Sequence, residues 1–242
     1  MLKRILVVAV ALTGVAAADA QAVTLDAVDS GWYQENNIGP EAGFHDPANE
    51  NYIAGRIDVG GGLFATFRNF FVFDRSAISG PISSATLEIF NPLGGYSSGD
   101  ASETYQVVDM LTDATTLRAG GSGLGGIFSD LGTGDLYGSI DVSAASDGQL
   151  LSIALSQAAI DDFNAGSGFF SVGGHLTTLG SNDTQFVFGG TADGNGSAAQ
   201  FTRRLQVELA QTGTPVIPEP GTMALFGFGL IGGALRRKRQ AA

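Results

Sequence analysis

Leu63 to Asp74 reads LFATFRNFFVFD, a run nearly continuous in apolar and aromatic side chains. Such a run fits a central strand buried on both faces, and it sets the terms for the rest of the chain. Around it glycine is abundant, helix-forming Lys and Glu are scarce, and the apolar runs are short. That pattern predicts an all-β fold with many turns. Ser84 to Phe90 alternates, sending Ala85, Leu87 and Ile89 to one side. Thr104 to Met110, Gly138 to Val142, Leu150 to Leu155 and Thr184 to Phe188 are further strands. Phe201 to Leu209 closes the series with Leu205, Val207 and Leu209 on one face. One helix interrupts it: Ser156 caps Gln157 to Asn164, Ile160 and Phe163 pack it inward, and Gly166 ends it in the left-handed conformation. Gly120 to Gly126 and Asp193 to Gly196 read as flexible loops. The expected architecture is a single jelly-roll-like β-sandwich over residues 23–210.

Both ends of the chain read as membrane signals. Met1 to Arg4 is a basic n-region, Ile5 to Leu12 an apolar h-region, and small residues follow through Ala22. This is a secretory signal peptide over residues 1–22. Ala18-Asp19-Ala20 and Ala20-Gln21-Ala22 both satisfy the A-x-A pattern; cleavage after Ala22 leaves Val23-Thr24-Leu25 to open the first strand. At the other end, a linker at 211–217 leads to Pro218-Glu219-Pro220-Gly221, the uncharged segment Thr222 to Leu235, and Arg236-Arg237-Lys238-Arg239. The basic cluster belongs on the cytoplasmic side. At ~1.5 Å per residue the apolar segment spans about 21 Å as a transmembrane helix, short of the ~30 Å hydrocarbon core. Short and glycine-rich, it suits a transient membrane hold.

The order Pro-Glu-Pro, short glycine-rich helix, arginine-rich tail resembles the PEP-CTERM sorting signal of Gram-negative bacteria. The resemblance implies that exosortase, a membrane-embedded cysteine transpeptidase-like enzyme, recognises Pro218, Glu219, Pro220 and Gly221. That enzyme would remove the tail at 218–242 and deliver the body to the cell surface or the medium. A second resemblance lies in the body: Arg68, Phe73-Asp74 and Ile82-Ser83-Ser84-Ala85-Thr86-Leu87 are similar to a segment of DNRLRE-type secreted jelly-roll modules. Those modules are themselves similar to carbohydrate-binding modules.

Charge narrows the partners. Six of the twelve basic residues and two of the 24 acidic ones lie in the terminal signals, leaving 6 against 22 in the body, a net of −16 without lysine. Such a surface repels nucleic acid and anionic lipid. The chain has no cysteine, which removes thiol catalysis, thiolate zinc sites and disulfides together.

No catalytic signature is present. His45 and His175 have no metal-pair spacing and are expected in loops or at the surface; no Gly-x-Ser-x-Gly elbow or phosphate loop occurs. Among 22 acidic residues nothing nominates a glycosidase pair. No cofactor is expected except calcium. Asp193-Gly194-Asn195-Gly196-Ser197 begins like a calcium loop, but Arg204 stands where an EF-hand needs Glu. An irregular site at Asp193 and Asn195, or at Asp46 to Glu50, remains. Trp32 beside Tyr33 is the candidate sugar-stacking platform, with Tyr52, Tyr96 and Tyr105 as further aromatics; the alternative for all five is core or strand filler. The reading is a non-enzymatic exported protein of the exopolysaccharide matrix, with exosortase, extracellular polysaccharide and the membrane as partners. The alternative is a carbohydrate-binding module with a defined glycan site.

Overall fold

A computed structural model describes residues 21–36, 42–180 and 183–211. Within them the strands are β1 (Ala22–Asn36), β2 (Ala42–Phe44), β3 (Ala54–Gly60), β4 (Leu63–Asp74), β5 (Ile82–Asn91) and β6 (Glu103–Val108). Then follow β7 (Leu136–Val142), β8 (Gln149–Ala154), β9 (Phe169–Leu176), β10 (Gln185–Val187) and β11 (Arg203–Leu209). Helices α1 (Ala114–Ala119) and α2 (Gly125–Asp130) stand between β6 and β7, and α3 (Gln157–Ala165) between β8 and β9. The fold is all-β, a nearly closed sandwich with few helices.

One layer runs β8-β5-β11-β1 and the other β7-β6-β9-β4-β1, so β1 belongs to both. Ala22 to Asp26 pair with β11. The register then shifts between Ala27 and Asp29, and the remainder to Asn36 pairs with β4. A bulge bends a strand and raises its twist, which is how a single strand turns from one layer into the next. On its other side β4 pairs first with β3 and then with β9. It therefore has neighbours along its whole length, as its composition demands.

Alternation along β4 feeds two cores. Phe71 and Phe73 enter the space between the layers with Leu87, Ile89, Val172, Leu205 and Val207, all fully or almost fully buried. Phe70 and Val72 face the other way and meet Tyr33, Leu117, Ile127, Phe128 and Leu131. Each such side chain contributes roughly 1.5–3 kcal/mol on burial. The second cluster exists because α1 and α2 lie over the outer face of the β4 layer. The Asp113 carboxylate caps α1 by accepting from the amides of Thr115 and Thr116. Between the layers, buried Asn69 donates to the Tyr52 carbonyl at 2.7 Å and accepts from the Tyr105 hydroxyl at 2.8 Å.

Several expectations need correction. Gly120 to Gly126 is not a plain loop: Gly121 forms a two-way backbone bridge with His45, and Gly125 and Gly126 begin α2. Helix α3 is capped by Ser156 and buries Ile160 and Phe163 as expected. Gly166, however, has φ −75° and is not left-handed; its amide simply donates to the Asp162 carbonyl. Strands β2, β3 and β9 had no counterpart among the expected strands, and the single expected helix is joined by α1 and α2, each too short to show a helical period.

Candidate functional site

The expected stacking pair, Trp32 and Tyr33, is buried. Neighbours along a strand point to opposite faces, and on this part of β1 both faces are covered. Trp32, 8% exposed, packs edge-on against Phe67 at 5.3 Å. Tyr33 is fully buried and its hydroxyl donates to the Leu117 carbonyl at 2.8 Å; burial, with Asp29 second, pushes its phenol up to about 12. Neither ring offers a flat face to a sugar. Tyr52 and Tyr105 are core residues as well.

The histidines are also drawn inward. His45 is 2% exposed, packed between Tyr33 and Phe70, with Nδ1 2.8 Å from the Trp32 carbonyl oxygen. Burial lowers its pKa against the opposing pull of that carbonyl and of Asp29 and Asp46. His175, half-buried on β9, is lowered to about 4 by burial and then by the charge of Arg68.

The two oxygen-rich loops meet each other. The Glu50 amide donates to the Gly196 carbonyl, and the Ala198 amide donates to the Glu50 carboxylate, both at 2.8 Å. Within its own turn the Asp193 carboxylate accepts from the amides of Asn195 and Ser197. Among the described residues no group of three or more His, Asp or Glu is arranged to hold a metal.

Two clefts remain. In one, of about 210 Å³, the Tyr137 hydroxyl lies 3.1 Å from an Asp109 oxygen and 2.7 Å from an Asp162 oxygen. One phenol proton serves two carboxylates there. Burial, and next the hydrogen bond to Asp162, raise the Tyr137 pKa far above its usual value.

The other cleft, of about 400 Å³, opens on the outer face of the β4 layer where the cover of α1 and α2 ends. Arg56 of β3 and Arg68 of β4 line it together with Glu35, Thr66, Phe64 and Phe128. The Arg68 guanidinium lies over the Phe128 ring at 4.4 Å and donates through Nη1 to the Phe128 and Ser129 carbonyls. Arg56 lies over the Phe64 ring at 4.3 Å, donates through Nη1 to the Gly180 carbonyl at 2.7 Å, and through Nε to the Thr66 hydroxyl at 3.4 Å. Gly132 leaves the room for this: a Cβ there would stand 2.4 Å from the Arg68 Cζ. Burial lowers the Arg68 pKa, and the nearby Glu35 opposes that shift. The site offers two oriented cations and hydrogen-bonding groups, an arrangement for binding an anion. Sequence reasoning missed it because its parts come from four separate elements. The one signal available was Arg68 set within an aromatic strand.

Residues 216–239 match the PEP-CTERM protein-sorting motif. The chain therefore carries a signal for exosortase-dependent export and sorting to the cell surface, with exosortase as the processing partner. Pro218 to Gly221, the segment Thr222 to Leu235 and Arg236 to Arg239 lie outside the described residues, as do residues 1–20 of the N-terminal signal. Among the described residues no helix is long and apolar enough to cross a membrane. No curated protein matches the chain. Among solved structures, the K1 cleaved adhesin domain of Lys-gingipain from Porphyromonas gingivalis W83 is similar at 14% identity and TM-score 0.30, over 78% of this chain and 91% of that one. A likeness that low carries no functional argument.

Proposed function

We propose that this chain is a non-catalytic, exported surface protein of a Gram-negative bacterium, associated with extracellular polysaccharide. The observation that carries the reading is the sorting motif at 216–239 behind an acidic, cysteine-free β-sandwich. A body with net charge −16 stays soluble and is repelled by nucleic acid and anionic lipid, which leaves a hydrated polymer as the fitting neighbour. Exosortase recognises Pro218-Glu219-Pro220, and the apolar segment holds the precursor in the inner membrane until the tail is removed. Fractionation of the producing cells tests the association. The protein should co-sediment with extracellular polysaccharide and be freed by a polysaccharide-degrading enzyme. Recovery wholly free of polysaccharide would contradict it.

A second reading, a module with a defined glycan site, is favoured by one specific observation. The Arg56–Arg68 cleft supplies the concave polar site that Trp32 and Tyr33, being buried, do not.

A further inference from the structure

Charge is distributed unevenly over this sandwich. Of the body's six arginines, three are ion-paired: Arg118 with Asp29, Arg203 with Glu50 and Arg204 with Glu88. Arg56 and Arg68 form no ion pair among the described residues, and they open onto the same cleft. Two cations in a partly desolvated site repel each other, and the single carboxylate of Glu35 offsets them only in part, so the cleft keeps a net positive charge that an anion would compensate. Both guanidiniums are clamped by carbonyls through Nη1, which fixes their planes. Nη2 of each, and Nε of Arg68, keep donors that no described protein group takes up. On the same face, beside Arg68, His175 Nδ1 is buried without a hydrogen-bond partner among the described residues.

We infer that this cleft binds a carboxylate-bearing sugar, a uronate unit of an acidic polysaccharide, with its carboxylate held by Arg56 and Arg68. The inference rests on the polysaccharide reading above and names the ligand class. A guanidinium fork matches a planar carboxylate through paired N–H donors. Glu35 on the rim reduces the positive charge, which suits a single carboxylate better than a dianionic phosphate. The same Glu35 accepts sugar hydroxyls. The Thr66 hydroxyl, which accepts from Arg56, keeps its proton to donate to another. An acidic peptide offers carboxylates without those hydroxyls. A uronate chain carries one carboxylate per ring with several hydroxyls beside it.

Calorimetric titration of the full chain in a nonionic detergent tests this, with galacturonate trimers against neutral galactose trimers, glutamate trimers and inorganic phosphate. The uronate trimer should bind saturably and more weakly at high salt, and the neutral trimer at least about tenfold less tightly. Arg56→Gln and Arg68→Gln should each weaken uronate binding by about tenfold or more. Arg68 packs on Phe128, so the half-buried Arg56 provides the variant less bound up with folding. Glu35→Gln should strengthen binding, which a merely damaged fold would not do. Equal binding of glutamate or phosphate trims the site to a general anion site and overturns the sugar assignment. No uronate binding, or neutral-trimer binding of equal strength indifferent to Arg56→Gln, overturns the inference while leaving association with polysaccharide intact. Failure of the exported protein to co-sediment with polysaccharide instead removes the reading on which it rests.

Discussion

Arg68 stands over the Phe128 ring at 4.4 Å and donates to the carbonyl of that same residue at 2.8 Å. A residue of the central strand is thereby locked to the helix that covers it, 60 positions later in the chain. The contact joins the second core to the cleft, because the buried Phe128 ring serves both.

Replacing Phe128 by alanine should therefore cost about 3 kcal/mol of folding stability, the low end for deleting a buried aromatic ring. It should also loosen Arg68. Urea unfolding measures the first effect. A loss below about 1 kcal/mol would mean that α2 is not a packed element.

Gly174 and Tyr105 make a sharper test of packing between the layers. A Cβ on Gly174 would come within 1.9 Å of the Tyr105 hydroxyl oxygen and 2.3 Å of Asn69 Oδ1. Gly174→Ala should destabilise by roughly 1–3 kcal/mol or more through overpacking. Tyr105→Phe alone leaves Asn69 Oδ1 without its buried donor, at a cost of about 1–3 kcal/mol. The double variant should lose less than the sum of the two, because removing the hydroxyl relieves the closest of the clashes, although Asn69 Oδ1 and the Tyr105 ring carbon Cζ still crowd the methyl group. Strict additivity in urea unfolding would contradict this contact.

How much of this was legible depends on whether the signal was local. The run Leu63 to Asp74 showed a strand buried on both faces, and it is β4 with the same ends. Ala85, Leu87 and Ile89 alternate and are all buried. Ser156 marked the start of α3 because a cap is chosen by its own few residues. Helices α1 and α2 are six residues each, and α2 begins on two glycines, so no periodicity announced them. Without α1 nothing in the sequence showed what covers Tyr33, which is why it stood as a stacking candidate. The Arg56–Arg68 cleft was beyond reach for the same reason, since Phe128 arrives on one of those unannounced helices.

Acid should weaken the fold through its histidines. His175 has a folded pKa of about 4, below its ordinary 6.5, and His45 is lowered as well. The unfolded chain then binds these protons more tightly, so stability rises with pH across that window and is lost as pH falls through it. Asp74, held low by hydrogen bonds from Ser76, and Asp113, held low by those from Thr116, add a further loss at lower pH. The melting temperature should fall between pH 7 and pH 4.5, and His175→Gln should flatten part of the slope. A flat profile, or an unchanged slope in the variant, would contradict the burial of these imidazoles.

Residues 21–211, which include every strand described, should fold without the terminal signals and without disulfides. Expressed alone they should give a β-type circular dichroism spectrum and a cooperative melt. A disordered or helical spectrum would show that the sandwich depends on segments outside it.

The central claim is that the body is delivered by its C-terminal signal, and intact mass spectrometry of the exported protein tests it most directly. The mass should correspond to a chain lacking the apolar segment and the basic tail. Replacement of Pro218, Glu219 and Pro220 by alanine should leave inner-membrane export intact but hold an unprocessed precursor in the membrane fraction. Extracellular protein still carrying Leu230 to Arg239, or unchanged release from the triple variant, would contradict the account.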